Sequence, residues 1–321
     1  MQTLRQAIEN ISQCATPSTK FARPIFRIND NTLYAYNGTL GASTHFAAQF
    51  PTDDIAVDAE ALTRIWQDGS KAVIDDRQLV VKTRRTTYRL PLQDADVFEC
   101  PELVAGGEKI TPAQRDAILL ASKFSSQNAI HPWAAGVTLH EGRAIATNNL
   151  TVISVECATH LEGTLPFWAV NALRTSGEPP AIRIDSRGVS FTYDDSTIIQ
   201  SAPLAATMPA KLFEMIGTIN EGDTDIAPLV EAQDDAFRIN GRRVTLDPAA
   251  RRIIVVSEQG TKSETEVDLG ETDFEPAMLQ EPILKLILEH ATHLSFSEAP
   301  AKLLFSSNKA PQFRGVAACM V

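Results

Sequence analysis

Only four of the 321 residues are cysteine (Cys14, Cys100, Cys157 and Cys319), and no two of them form a CxxC pair. That spacing excludes a disulfide framework and a cysteine-built zinc site. Each thiol is expected to be a small buried apolar group. Long hydrophobic runs are missing too: nothing approaches the ~18 consecutive apolar residues of a membrane-spanning helix. The start, Met1-Gln2-Thr3-Leu4-Arg5-Gln6, lacks the basic-then-apolar layout of a secretory leader. The expected location is the cytoplasm, with no membrane contact. Positive charge is scarce: 29 Lys plus Arg face 40 Asp plus Glu, a net charge of −11. Such a balance excludes a protein that grips nucleic acid through diffuse basic charge. The phosphate-cradling patterns GxxxxGKS/T and GxGxxG are absent, as are the GxSxG elbow and HExxH. Neither an enzyme nor a cofactor is expected.

Two patterns that resemble metal sites read more simply as surface. His290-x-x-His293 places two imidazoles near one helical face, but no carboxylate or cysteine motif joins them, so a wet helix end is expected and no metal. The acidic pairs Asp53-Asp54, Asp75-Asp76, Asp194-Asp195 and Asp234-Asp235 fall at turns and element ends. Adjacent strand residues point to opposite faces, which suits solvated charge better than a two-metal centre.

What the chain does have is an internal repeat. Leu62, Leu173 and Leu284 fall at equal intervals of 111 residues, each in an apolar strand-then-helix stretch. These stretches are Ile55 through Trp66, Phe167 through Arg174, and Met278 through Ala291. The turn residues Asn37, Asn148 and Gln259 keep the same 111-residue step. Each repeat also opens on a helix. Leu4, Ala7, Ile8 and Ile11 mark one helical face, and Ala117, Ile118, Leu120, Ala121 and Phe124 mark another after the Thr111-Pro112 start signal. A third such helix is expected from Asp225 through Ala236, with Pro228 in its first turn. Between helices the chain alternates as strands, beginning with Phe26–Ile28 and Thr32–Tyr36 around an Asn29-Asp30-Asn31 hairpin turn. The fold class expected is α+β, with three tandem domains, 1–107, 108–207 and 208–321, each two helices backed by β-sheets.

Order and spacing across the whole chain resemble the beta sliding clamp of bacterial DNA polymerase III. The middle repeat carries the likeness best, from Ile110-Thr111-Pro112 through Ala121-Ser122-Lys123-Phe124-Ser125, then Gly136-Val137-Thr138-Leu139 to Ala146-Thr147-Asn148-Asn149. The end, Gly315-Val316-Ala317-Ala318-Cys319-Met320-Val321, is similar to that family's apolar final strand and tail. Where the family has Ala-Thr-Asp-Gly-His-Arg-Leu, this chain has Ala146-Thr147-Asn148-Asn149-Leu150-Thr151-Val152. Shorter repeats than the family's point to a divergent, phage- or plasmid-encoded member.

The resemblance implies a replication processivity factor: a homodimeric head-to-tail ring around double-stranded DNA that tethers a polymerase. It implies non-sequence-specific DNA contact, for which Lys20, Arg23, Arg64, Lys71, Arg115, Lys123 and Arg174 are the candidates by position. It also implies a pocket for polymerase and clamp-loader peptides, matched by Thr147, Asn149, Leu150, Thr151, Val152, Pro209, Leu212, Phe213, Val316 and Met320. A subunit seam is expected at Tyr88, Leu90 and Phe237. The section from 208 onward holds 11 basic and 18 acidic residues, or −7, against −2 for each earlier section. Weak inward charge and the loss of the family's His-Arg pair suit an alternative: an interaction protein of clamp fold that binds replication proteins without encircling DNA.

Overall fold

The computed structural model describes residues 2–15, 24–47, 50–51, 53–126, 128–175, 180–202, 207–217, 224–239, 241–269, 276–296 and 302–320. Seven α-helices lie among the described residues: α1 (Leu4–Ala15), α2 (Ala59–Ile65), α3 (Pro112–Ser122), α4 (Phe167–Thr175), α5 (Ala210–Gly217), α6 (Ala227–Ala236) and α7 (Glu281–His290). With the antiparallel sheets between them they make an α+β fold.

The helices start where the local chemistry dictates. Thr111 caps α3 through a capping box with Gln114, and Pro112 occupies the first turn, where its missing N–H costs nothing. Asp58 caps α2 by accepting from the Ala61 N–H at 2.7 Å. Leu4, Ala7, Ile8 and Ile11 are all buried, as their spacing predicts. The equally spaced Leu62, Leu173 and Leu284 fall on α2, α4 and α7 and are completely buried.

The contacts divide the chain into two units. The first comprises residues 1–110 and 176–203. Its main sheet has eight strands in the order Ile55–Asp58, Ile25–Asn29, Thr32–Tyr36, Leu40–His45, Ile198–Ser201, Gly188–Thr192, Ala181–Asp185, Glu108–Lys109. The expected hairpin is present, with Asp30 and Asn31 both left-handed (φ 45° and 56°), the geometry of a tight two-residue turn. Leu40–His45 joins Ile198–Ser201 with Ser43 opposite Ile198, and the Thr44 and Thr197 hydroxyls meet at 2.7 Å. Lys71–Asp75, Gln78–Lys82 and Thr87–Pro91 form a separate three-stranded sheet.

The second unit comprises residues 111–175 and 204–321. Its eight-stranded sheet runs Gly163–Pro166, Gly136–His140, Arg143–Thr147, Thr151–Glu156, Phe313–Ala318, Lys302–Ser307, His293–Phe296, Thr224–Asp225. A four-stranded sheet runs Lys262–Glu266, Arg252–Ser257, Gly241–Asp247, Ala277–Gln280. Each eight-stranded sheet therefore combines strands from two successive repeats of the sequence.

Several expectations change. The helix expected from Asp225 begins at Ala227, because Thr224–Asp225 pairs with His293 and Leu294. Cys14 and Cys157 are buried, whereas Cys100 and Cys319 are half-buried. Asn37 and Asn148 do share one job: each accepts from the backbone N–H groups two and three residues on. The third copy of this turn is held differently: the Ser257 hydroxyl accepts from the Thr261 N–H, four residues on. His290 is no wet helix end: its side chain is 16 % exposed and its ring lies 6.5 Å from that of Phe124.

Truncating Leu62, Leu173 or Leu284 to Ala should each cost about 2–5 kcal/mol, the range for a fully buried leucine. Chemical denaturation of the three variants measures this. A loss below about 1 kcal/mol at any of them would show that position to be loosely packed.

Candidate functional site

A mainly apolar cavity in the second unit lies where Thr151–Glu156 meets Phe313–Ala318. A rigid turn builds its first wall. Asn148 Oδ1 accepts from the Leu150 N–H (3.0 Å), the Thr151 N–H (2.8 Å) and the Thr151 hydroxyl (2.8 Å). Thr147 Oγ1 accepts from the Asn149 N–H at 3.0 Å, and Asn149 takes a left-handed φ of 73° that asparagine tolerates. The Leu150 carbonyl accepts from the Ala318 N–H, fastening the turn to the last strand. These bonds hold Leu150 outward at 39 % exposure.

The floor is Val152 and Val316, paired directly across the two strands. The second wall is α5. Its Ile216 is buried with Ile145, Val152, Met208 and Val316, while Leu212 and Met215 remain partly open and line the cavity. His131 and Trp133, stacked 5.2 Å apart with rings 8° from parallel, close the third side. The cavity measures about 360 Å³. Lys302 is the one lysine, arginine or carboxylate in this lining among the described residues. Ile130, next to His131 in the chain, is 88 % exposed. Apolar walls with few polar groups suit the capture of one or two side chains of a short peptide.

Of the expected pocket residues, Thr147, Asn149, Leu150, Val152, Leu212 and Val316 line this groove together. Thr151 is buried at the turn, its hydroxyl spent on Asn148. Pro209 is exposed at the start of α5, its carbonyl accepting from the Leu212 N–H. Phe213 packs partly against the same core, and its ring lies 4.4 Å from that of His140. Met320 lies elsewhere, with its N–H donating to the Met278 carbonyl at 2.7 Å and its side chain lining a different depression. His131, Trp133, Met215, Lys302 and Ala318 were not expected. Of these only Met215 carries a sequence signal, through the helical spacing of Leu212, Met215 and Ile216.

The candidate DNA contacts are scattered and mostly engaged. Lys20 and Arg23 lie outside the described residues. Arg64 pairs with Glu60 one turn earlier on α2, and Lys71 is exposed at a strand start. Arg115 Nε donates to the Leu173 carbonyl at 3.1 Å and Arg174 to the Ser122 hydroxyl at 3.3 Å, so both tie α3 to α4. Lys123 Nζ lies 3.3 Å from Glu289 Oε1 and 3.0 Å from His290 Nε2, tying α3 to α7. Burial, then the Lys123 charge, holds the His290 imidazole below its ordinary value. At the expected seam, Tyr88 is half-buried and Leu90 buried on one face of the strand Thr87–Pro91. Phe237 is buried too, with Lys285 Nζ 4.9 Å from its ring centre.

No family model and no curated protein sequence matches the chain. Solved structures do. The beta sliding clamp of C. crescentus superposes with a TM-score of 0.79 at 16 % identity, covering 99 % of this chain and 96 % of that one. A DNA polymerase III subunit beta from Pseudomonas aeruginosa gives 0.78 at 15 % identity, covering 99 % and 98 %. A Helicobacter pylori beta clamp bound to a DNA ligase peptide gives 0.76 at 13 % identity, again covering 99 % and 98 %. This chain has the sliding-clamp fold. Its structural neighbours are bacterial DNA polymerase III beta clamps, at identities that carry fold alone.

Replacing Lys123 with Gln should raise the His290 pKa part of the way toward an ordinary histidine, because a neighbouring cation is lost while burial stays. NMR titration of the imidazole reads this directly. An unmoved pKa would mean that burial alone sets it.

Proposed function

We propose that this chain is a DNA sliding clamp, a replication processivity factor built from three clamp domains, 1–107, 108–207 and 208–321. Two copies join head to tail around double-stranded DNA in the cytoplasm. The groove at Leu150 holds short apolar segments of a DNA polymerase and of the clamp loader. The role is tethering, and it calls for no catalytic residue.

The observation that carries this reading is a pair of open sheet edges. The third strand of a repeat, Leu40–His45 or Thr151–Glu156, pairs antiparallel with a strand of the next repeat, Ile198–Ser201 or Phe313–Ala318. Among the described residues the corresponding third strand of the last repeat, Lys262–Glu266, ends its sheet, and so does Thr87–Pro91 from the first repeat. An open edge is a template for another strand. One edge bears Glu266 and a Glu264 already paired with Lys262 and Arg252, and the other bears Arg89, paired with Asp75, and follows the exposed Arg84 and Arg85. Joined between two copies, the edges repeat the joint already made twice within each chain, and closure leaves neither exposed. Because Leu90 and Phe237 are spent in their own cores, backbone pairing and opposite charge supply this seam.

The runner-up is a clamp-fold interaction protein that does not encircle DNA. It draws on the pairing of Arg64 with Glu60 and Lys123 with Glu289, and on α6, which carries Glu231, Asp234 and Asp235 without a basic residue.

Changing Glu264 and Glu266 to Arg should convert a 70 kDa-class particle to single chains in sedimentation, and adding Arg84→Glu and Arg85→Glu should restore the pair. If the first variant still sediments double-sized, the seam lies elsewhere. For the groove, Leu150→Asp should weaken a polymerase-tail peptide at least tenfold in titration calorimetry, since one buried anchor side chain supplies about 1.5–3 kcal/mol. Unchanged affinity would place peptide capture at another surface.

A further inference from the structure

A second depression in the second unit, of about 750 Å³, lies between the start of Gly241–Asp247, the Ser257–Gln259 turn and the first turn of α7. Its basic groups are Arg242 and Arg243, both exposed. Consecutive residues of a regular strand point to opposite faces, so one of the two would ordinarily turn inward. Here the pairing of Gly241–Asp247 with Arg252–Ser257 slips: Gly241 faces Ser257 and Arg243 already faces Val256, which leaves Arg242 as an extra residue. That is a β-bulge, a device that re-aims side chains. Glycine at 241 permits it, because a Cβ there would collide with Val255 and come within 2.9 Å of Glu281 Oε2.

Neither guanidinium has an ion-pair or side-chain hydrogen-bond partner among the described residues, whereas the neighbouring Arg238, Arg251 and Arg252 all have carboxylates beside them. The rest of the lining is mixed. Ile239, Pro282 and Met320 give apolar surface, and Gln280, at the start of α7, makes no cap bond with its side chain. Among the described residues Glu258 is the single carboxylate in the lining.

We propose that this depression is a second docking site, taking an acidic peptide segment of a partner protein. Two of its carboxylates meet the Arg242 and Arg243 forks, and an intervening apolar side chain rests on Ile239, Pro282 and Met320. Two features favour a peptide over a nucleic acid backbone. The section from 208 onward carries a net charge of −7, so a continuous polyanion is repelled along its length, while a short peptide places its charge only at the two arginines. The apolar patch of Ile239, Pro282 and Met320 gives a phosphodiester chain nothing to bury. This site depends neither on ring closure nor on the groove at Leu150.

The test uses the full chain labelled at isoleucine and methionine methyl groups. The probe is a capped hexapeptide with two aspartates flanking one isoleucine. Its asparagine version and a short single-stranded oligonucleotide serve as comparisons. The acidic peptide should shift the Ile239 and Met320 methyls. That shift should be lost with the asparagine peptide, and affinity should fall at least tenfold in Arg242→Glu/Arg243→Glu. Arg242→Lys/Arg243→Lys, which keeps the charge but not the fork, should bind at an intermediate level, with methyl spectra confirming that each variant is folded. Equal binding to the wild type and the charge-reversed variant overturns the proposal. So do peptide shifts confined to groove methyls such as Met215, or methyl shifts at Ile239 and Met320 produced by the oligonucleotide and not by the peptide. Dependence of those two methyls on protein concentration alone would assign the depression to a second copy of the chain and would also overturn it.

Discussion

A strand at the edge of a sheet exposes a row of backbone N–H and C=O groups, and in this chain the third strand of every repeat meets that problem. Twice the chain solves it internally, through Leu40–His45 with Ile198–Ser201 and Thr151–Glu156 with Phe313–Ala318. Both solutions join strands more than 150 residues apart, so neither unit is complete until chain from a later repeat returns. Local contacts cannot build these sheets, and non-local closure of this kind is slow to form. The third instance leaves Lys262–Glu266 at an edge, and the proposed assembly follows from how that edge is satisfied.

The groove depends on the same joints. Val152 and Val316 become its floor only because their strands pair, and the Ala318 N–H holds the Leu150 turn in place. Asn148 spends its carbonyl oxygen on three donors, so the turn is rigid before any ligand arrives. Binding to such a surface pays little to order it. What the family resemblance gives as His-Arg is Leu150-Thr151 here. The arginine's place is taken by a buried hydroxyl and the histidine's by an outward leucine, which makes this wall greasier. Among the described residues Lys302 is the one lysine, arginine or carboxylate in the groove.

Features fixed by local chemistry were readable from the residues alone. The capping box at Thr111 and the burial of Leu62, Leu173 and Leu284 depend on neighbours within a turn or on one helical face. The Asn29-Asp30-Asn31 hairpin is equally local. Features fixed by long-range pairing were not readable. No periodicity tells that Phe313–Ala318 lies beside Thr151–Glu156, nor that Met320 turns away to Met278. His131 and Trp133 sit in a loop without helical or strand spacing, so their place beside α5 had no signal. The bulge at Arg242 was hidden as well. Two adjacent arginines mark no bulge in a sequence, and only the register of the paired strands shows the extra residue at Arg242.

Retention on DNA tests the central claim most directly. The full chain, loaded with its cognate loader onto nicked circular plasmid and separated by gel filtration, should stay with the circle in high salt. It should be lost when the plasmid is cut once, because a topological link survives screening but not a free end. Equal retention on circular and linear DNA, or release from both by salt, would contradict a ring and leave a clamp fold that binds its partners without enclosing the duplex.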